Sequence, residues 1–171
     1  FDLLLSPWAK SSLEQAMNDT VDLISSGATP TWTLNNHDVQ RIVTRLGRAD
    51  ARDPASASAN HLEGPWSDVD IAIGARRARA MIALAMAMPG SIYLYMGEEL
   101  GLPEVLDLPD DRRQDPVFQM TNGARLGRDG CRVPIPWTDD RTTSFGFSTV
   151  VDGARPGEPW LPQPAWWGDF A

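Results

Sequence analysis

Cysteine is almost missing from this chain of 171 residues: Cys131 is the only one. A single thiol excludes an internal disulfide framework and any zinc site built from several cysteines. It fits a reducing compartment, and the expected location is cytoplasmic. Histidine is nearly as scarce. His37 and His61 are too few and too differently placed to suggest a histidine metal site, so neither a metal nor a cofactor is expected. Lysine occurs once, at Lys10. Basic residues number 15 against 23 acidic ones, for a net charge of -8. That balance argues against nucleic acid as a partner, because phosphate neutralisation needs clustered Lys and Arg. It argues equally against an anionic membrane surface. Long hydrophobic runs are also lacking. The most apolar stretch, Met81 to Gly97, is broken by Pro89-Gly90 and falls short of a membrane span. No signal peptide opens the chain. Its first residue is Phe1 rather than Met, so it reads as processed or as a piece of something longer.

What is present is globular in composition, 42% hydrophobic and 22% charged. Phe1 to Leu5 is a short apolar run that reads as a buried strand. Ser11-x-x-Glu14 has the pattern of a capping box. A helix is expected after it, with Gly27 as its stop. Thr29 to Leu34 reads as a second strand, and Val39 to Leu46 as a short helix. Residues 48–66 are polar and read as a surface loop that includes His61. Ser67-x-x-Asp70 then caps a helix running to about Met88, and Ser91 to Met96 is a third strand. Strands alternating with helices predict parallel strands with crossover connections, an α/β fold. Beyond Gly101 periodic spacing disappears. The tail Pro159 to Trp167 carries three tryptophans and is expected to dock on something.

Asn35-Asn36-His37-Asp38 stands directly at the C-terminal end of the second strand. In parallel α/β folds that end binds ligands. Asp38 offers two acceptor oxygens to neighbouring hydroxyls, His37 a ring donor, and the Asn amides both donors and acceptors. This chemistry suits a polyol such as a sugar. The same residues also make a plain polar strand-to-helix turn with Asp38 or Asn36 as N-cap.

Asn35 to Arg41, Gly97-Glu98-Glu99-Leu100-Gly101, and Gly127 to Trp137 with its Arg-Asp-Gly-Cys-Arg-Val-Pro core occur in that order. Together they resemble the α-amylase superfamily, glycoside hydrolase family 13, and within it the α-glucosidase and oligo-1,6-glucosidase branch. The resemblance implies the C-terminal part of a (β/α)8 barrel, with Phe1 to Leu5, Thr29 to Leu34 and Ser91 to Met96 as strands six to eight. Residues 1–137 would be a partial catalytic barrel, including the extended loop after strand eight. Residues 138–171 would lead to a C-terminal β domain. A complete barrel takes about 250 residues, so the rest of the barrel is an expected partner.

The family is retaining: one carboxylate attacks the anomeric carbon while a second acts as acid and then base. By resemblance those two lie upstream of Phe1. The matching residue here is the third carboxylate, Asp38, which with His37 would hold sugar hydroxyls and stabilise the charged transition state, a role that requires an ionised Asp38. Asn36, Arg41, Arg128 and Arg132 are the further candidates for binding substrate. Arg41 either pairs with an active-site carboxylate or faces solvent. Arg128 and Arg132 either border the substrate entrance or make structural contacts with Asp129 or Asp140. Glu98 and Glu99 are read as structural, because adjacent side chains diverge and a retaining pair stands ~5 Å apart across a sugar. Asp110 to Pro116 is read as a solvated loop. Cys131 is read as structural, and the tryptophans either stack on sugars or pack. The expected activity is hydrolysis of terminal α-linked glucose from short oligosaccharides. Transfer or isomerisation of the trehalose synthase or amylosucrase type is one alternative, and a non-catalytic barrel of the transporter heavy-chain type another. The isolated chain is expected to be inactive and poorly stable.

Overall fold

A computed structural model describes residues 2–53, 68–148 and 157–170. His61, Ser67 and most of the polar loop lie outside the described residues.

The chain opens with a single helical turn, α1 (Asp2–Leu5), where a strand was expected. A run of three leucines fits a buried strand or a buried helical turn equally well, because periodicity cannot separate them at this length. Here the Ser6 hydroxyl donates to the Asp2 carbonyl at 2.8 Å and closes the turn, while Leu3 and Leu4 are buried. Helix α2 (Lys10–Asp22) starts one residue before Ser11. The expected capping box therefore does not form: Ala9 is the N-cap and makes no side-chain bond. A 3-10 turn, Leu23–Ser26, extends the helix, and Gly27 ends it at φ 87°, where glycine carries no steric cost.

Strand β1 (Thr31–Thr33) is followed by α3 (Ile42–Gly47), α4 (Ile71–Ala87) and β2 (Ser91–Tyr93). The two strands pair in parallel, Thr31 opposite Ser91, so both C-terminal ends lie on one side. This is the crossover that the alternating pattern predicts. Among the described residues there are two strands rather than three, since α1 replaces the first. Asp70 caps α4 by accepting the Ile73 N–H at 2.8 Å. Helices α3 and α4 pack closely. At Gly74 a Cβ would run into the Val43 carbonyl oxygen, so only glycine permits the approach.

Two apolar clusters hold the fold. The first joins Leu3, Trp32, Leu34, Ile42, Leu46, Ala78 and Met81 across the sheet and helices. Within it the Trp32 indole donates to the Pro89 carbonyl at 2.8 Å. The second lies in the irregular region after β2 and joins Leu102, Val105, Leu108, Val133 and Ile135 around Trp167. The tail does dock: Ala165–Phe170 forms a 3-10 turn that buries Trp167 completely. It stacks edge-on against Trp166 with centroids 5.9 Å apart. The end of β2 is uncovered, with Tyr93 66% and Leu94, the residue after it, 49% exposed.

Candidate functional site

The site forms where the loop after β1 meets the loop 127–132 that comes back from beyond β2. Leu34 and Asn35 are buried, and the chain rises from them through half-buried Asn36 into exposed His37 and Asp38. The Asn36 side-chain oxygen accepts the Asp38 N–H at 2.8 Å, a tight Asx turn that presents the aspartate. Asn36 thus shapes the turn.

Asp38 is about half exposed and is met by three cationic or ring-nitrogen groups. Arg128 Nη1 donates to its Oδ1 at 2.8 Å and Arg132 Nη2 to the same oxygen at 3.2 Å. His37 Nε2 lies 3.3 Å from Oδ2. Arg132 Nε also donates to the His37 carbonyl at 2.9 Å. The four residues His37, Asp38, Arg128 and Arg132, about 90 positions apart in the chain, therefore form one cluster. Both guanidinium groups hold one carboxylate oxygen, and the other faces the exposed imidazole. A carboxylate aimed in this way can accept hydrogen bonds from vicinal hydroxyls.

Arg41 does not join this surface. It is 1% exposed, and its side chain turns inward. Nη1 donates to the Met96 carbonyl at 2.6 Å, and Nη2 to the carbonyls of Cys131 and Val133 at 3.0 and 3.4 Å. Its backbone N–H donates to Glu104 Oε2 at 2.8 Å. The expectation that Arg41 binds substrate is corrected: it ties the end of β2 to the loop beneath Asp38. Spacing alone places Arg41 near the strand end, but three inward carbonyls capture both of its Nη groups.

The loop 127–132 is anchored from below by two buried carboxylates, which corrects the view of residues 110–116 as a solvated loop. Asp110 and Asp111 are indeed exposed, but Arg113 and Asp115 are buried. Asp115 caps the short helix α5 (Pro116–Met120) by accepting the Val117 N–H at 2.8 Å, and it pairs with Arg128 Nε. Asp129 accepts the backbone N–H groups of Gln114 and Asp115 at 2.8 and 2.9 Å. The signal for Asp115 was present in the sequence: Asp before Pro is a helix start, with proline at N1.

Glu98 and Glu99 serve the turn after β2. Glu98 accepts the Tyr95 N–H at 2.6 Å, and Glu99 accepts that of Gly97 at 2.8 Å. Burial pushes Glu98 up to about 7, against the Tyr95 hydrogen bond and Arg45. Glu104 is likewise pushed up to about 7 by burial, against the Arg41 N–H and the charges of Arg41 and Arg113. Cys131 is buried and donates to the Arg128 carbonyl at 3.1 Å, and burial pushes its thiol well up. These are the properties of a packing residue. Beside Arg132 an open groove of about 430 Å³ is lined by Gln114, Phe147 and Trp160. Trp160 is 53% exposed there, whereas Trp32 and Trp167 are packed in the two cores.

The alpha-amylase catalytic domain matches residues 2–163 of the chain. The chain belongs to that family. A probable alpha-glucosidase of Rhizobium meliloti is 30% identical over 131 residues, covering 77% of this chain and 18% of that protein. The oligo-1,6-glucosidase of Parageobacillus thermoglucosidasius is 23% identical over 175 residues, covering 92% of this chain and 26% of that protein. A trehalose synthase/amylase of Mycobacterium tuberculosis is 39% identical over 80 residues, which is 47% of this chain and 10% of that protein. Among solved structures, the alpha-glucosyl transfer enzyme XgtA superposes on the whole chain with a TM-score of 0.64 at 33% identity, and 26% of its own length is covered. The chain thus spans between 10% and 26% of the length of these relatives. No described helix is long and apolar enough to cross a membrane.

Proposed function

We propose that the chain is the C-terminal part of the catalytic barrel of a retaining α-glucosidase, in which Asp38 stabilises the transition state. The observation that carries this reading is the exposed carboxylate of Asp38 beyond the C-terminal end of a parallel strand, with both arginines on Oδ1 and His37 beside Oδ2. By resemblance, the family's third carboxylate and its histidine neighbour would correspond to Asp38 and His37. A positively charged, flattened sugar forms as the glycosidic bond breaks. Hydrogen bonds that its hydroxyls donate to Asp38 and accept from His37 strengthen as that charge develops, which lowers the barrier rather than only binding the substrate.

The nucleophile and the acid/base would come from parts of the barrel beyond these residues, so the isolated chain is expected to be inactive. The exposure of Tyr93 and Leu94 at the end of β2 supports this view, because the strands of a parallel sheet are normally buried. A second reading is glucosyl transfer, supported by the likeness to the transfer enzyme over the full chain. Both readings share Asp38 and differ in whether water or a sugar hydroxyl resolves the glycosyl-enzyme.

The test is product analysis by NMR with maltose, isomaltose and sucrose, using the protein with its complete barrel. Glucose released first as the α-anomer supports a retaining glucosidase. New disaccharides in place of free glucose support transfer. Release of the β-anomer, or no turnover of any α-glucoside, contradicts the proposal.

A further inference from the structure

We infer that Asp115 is a positioning residue for Asp38, acting through Arg128 and leaving one chosen oxygen of Asp38 free for the sugar. The inference rests on the function proposed above. Asp115 is distant in sequence from Asp38, and its side chain is fully buried. It does not touch Asp38 itself, yet its Oδ2 faces both arginines that hold Asp38: Arg128, which it bonds directly, and Arg132, whose Nη1 lies 4.0 Å away. Its Oδ2 accepts both the backbone N–H of Arg128, at 3.0 Å, and the Arg128 Nε. Its Oδ1 is taken by the Val117 N–H. Asp129 holds the backbone on the other side of Asp115, so the carboxyl group has no freedom to swing. Gly127 completes the seat: its φ is +72°, and a Cβ there would lie 2.7 Å from Asp115 Cβ.

The consequence follows from the shape of a guanidinium group. It is planar, and its donors point in fixed directions. With Nε committed to Asp115, the position of Nη1 is set, and it falls 2.8 Å from Asp38 Oδ1. Arg132 adds a second donor to the same oxygen, from a side chain that is itself fixed on the His37 carbonyl. Oδ1 is therefore occupied twice, and Oδ2 is the oxygen that a substrate hydroxyl can use together with His37. Such advance orientation spares the site reorganisation during the reaction. Burial alone would push the Asp115 carboxyl up. The hydrogen bonds from Arg128 and Val117 outweigh it and hold the group below the ordinary aspartate range.

The test uses the enzyme with its complete barrel and four variants: Asp115→Asn, Arg128→Met, their combination, and Arg128→Lys. Initial rates on an α-glucoside give kcat and KM, and thermal melts confirm folding. Asp115→Asn is expected to lower kcat by about 10- to 100-fold while KM moves by less than about threefold. In the Arg128→Met background the same change is expected to cost far less, since only the 4.0 Å ion pair with Arg132 then links Asp115 to Asp38. Arg128→Lys is expected to lose a similar share of kcat, because one ammonium cannot hold both carboxylates. Equal losses from Asp115→Asn in both backgrounds would show a general structural role and overturn the inference. So would parental kcat in Arg128→Lys, the variant that decides the matter if Asp115→Asn does not fold. A parent enzyme inactive on every α-glucoside is a separate outcome, which removes the proposed function and the inference with it.

Discussion

Trp167 gives the sharpest prediction about what supports the site. It is wholly buried among Leu102, Val105, Leu108, Val133 and Ile135. Its ring also lies 5.8 Å from the guanidinium carbon of Arg41, which holds the Cys131 and Val133 carbonyls beneath the Asp38 cluster. Replacing a buried tryptophan by alanine removes its transfer energy and leaves a cavity, a combined cost of about 3–5 kcal/mol. That is a large part of the ~5–15 kcal/mol that holds a domain together. With a urea slope near 2 kcal/mol/M, Trp167→Ala should lower the urea midpoint by roughly 2 M. Trp167→Phe should cost much less. Among the described residues the Trp167 indole N–H has no partner, so removing it also removes a buried unsatisfied donor. The assay is urea unfolding followed by circular dichroism, parent and variants side by side. A midpoint shift below roughly 0.5 M for Trp167→Ala would refute the claim that the tail is part of the core.

Other predictions follow from the same structure. Arg41→Met should destabilise by about 3–5 kcal/mol, because it leaves buried carbonyls and Glu104 without their cation; a selective rise in KM with parental stability would restore a binding role. Stability should fall as pH rises from about 4.5 to about 7, the window set by Glu98 and Glu104. In that window the folded state keeps protons that the unfolded chain releases, so deprotonation favours unfolding. Glu104→Gln should flatten part of this slope in denaturation curves at pH 5 and pH 8, and an unchanged slope would contradict the assignment. Trp160→Ala should raise KM for maltose if the groove beside Arg132 receives the second sugar, and an unchanged KM would leave that tryptophan as surface packing.

The crossover and the position of Asp38 were legible because they rest on local signals. Thr29 to Leu34 is β-branched and aromatic, and the polar residues after it mark the strand end. Asp70 and Gly27 terminate helices by chemistry that a single residue carries. Phe1 to Leu5 was misread because its local pattern fits two structures, and the decision lies in which neighbours are available. Arg41 was misplaced for a related reason: spacing says which side of a turn a residue occupies, not which carbonyls a long side chain will find. Arg128 and Arg132 were singled out by their motif, but their convergence on one oxygen of Asp38 depends on a loop about 90 residues away. Asp115 carried a readable helix-start signal, yet nothing local connects it to Arg128.

The central claim is that Asp38 acts in the transition state rather than in simple binding. The most direct measurement is kcat and KM of Asp38→Asn on maltose, in the protein with its complete barrel. The amide keeps the shape and loses the charge. A fall in kcat of about 100-fold or more, with KM within a few-fold of the parent, is the predicted result. A raised KM with parental kcat would contradict it, and would make Asp38 a residue that only binds the sugar.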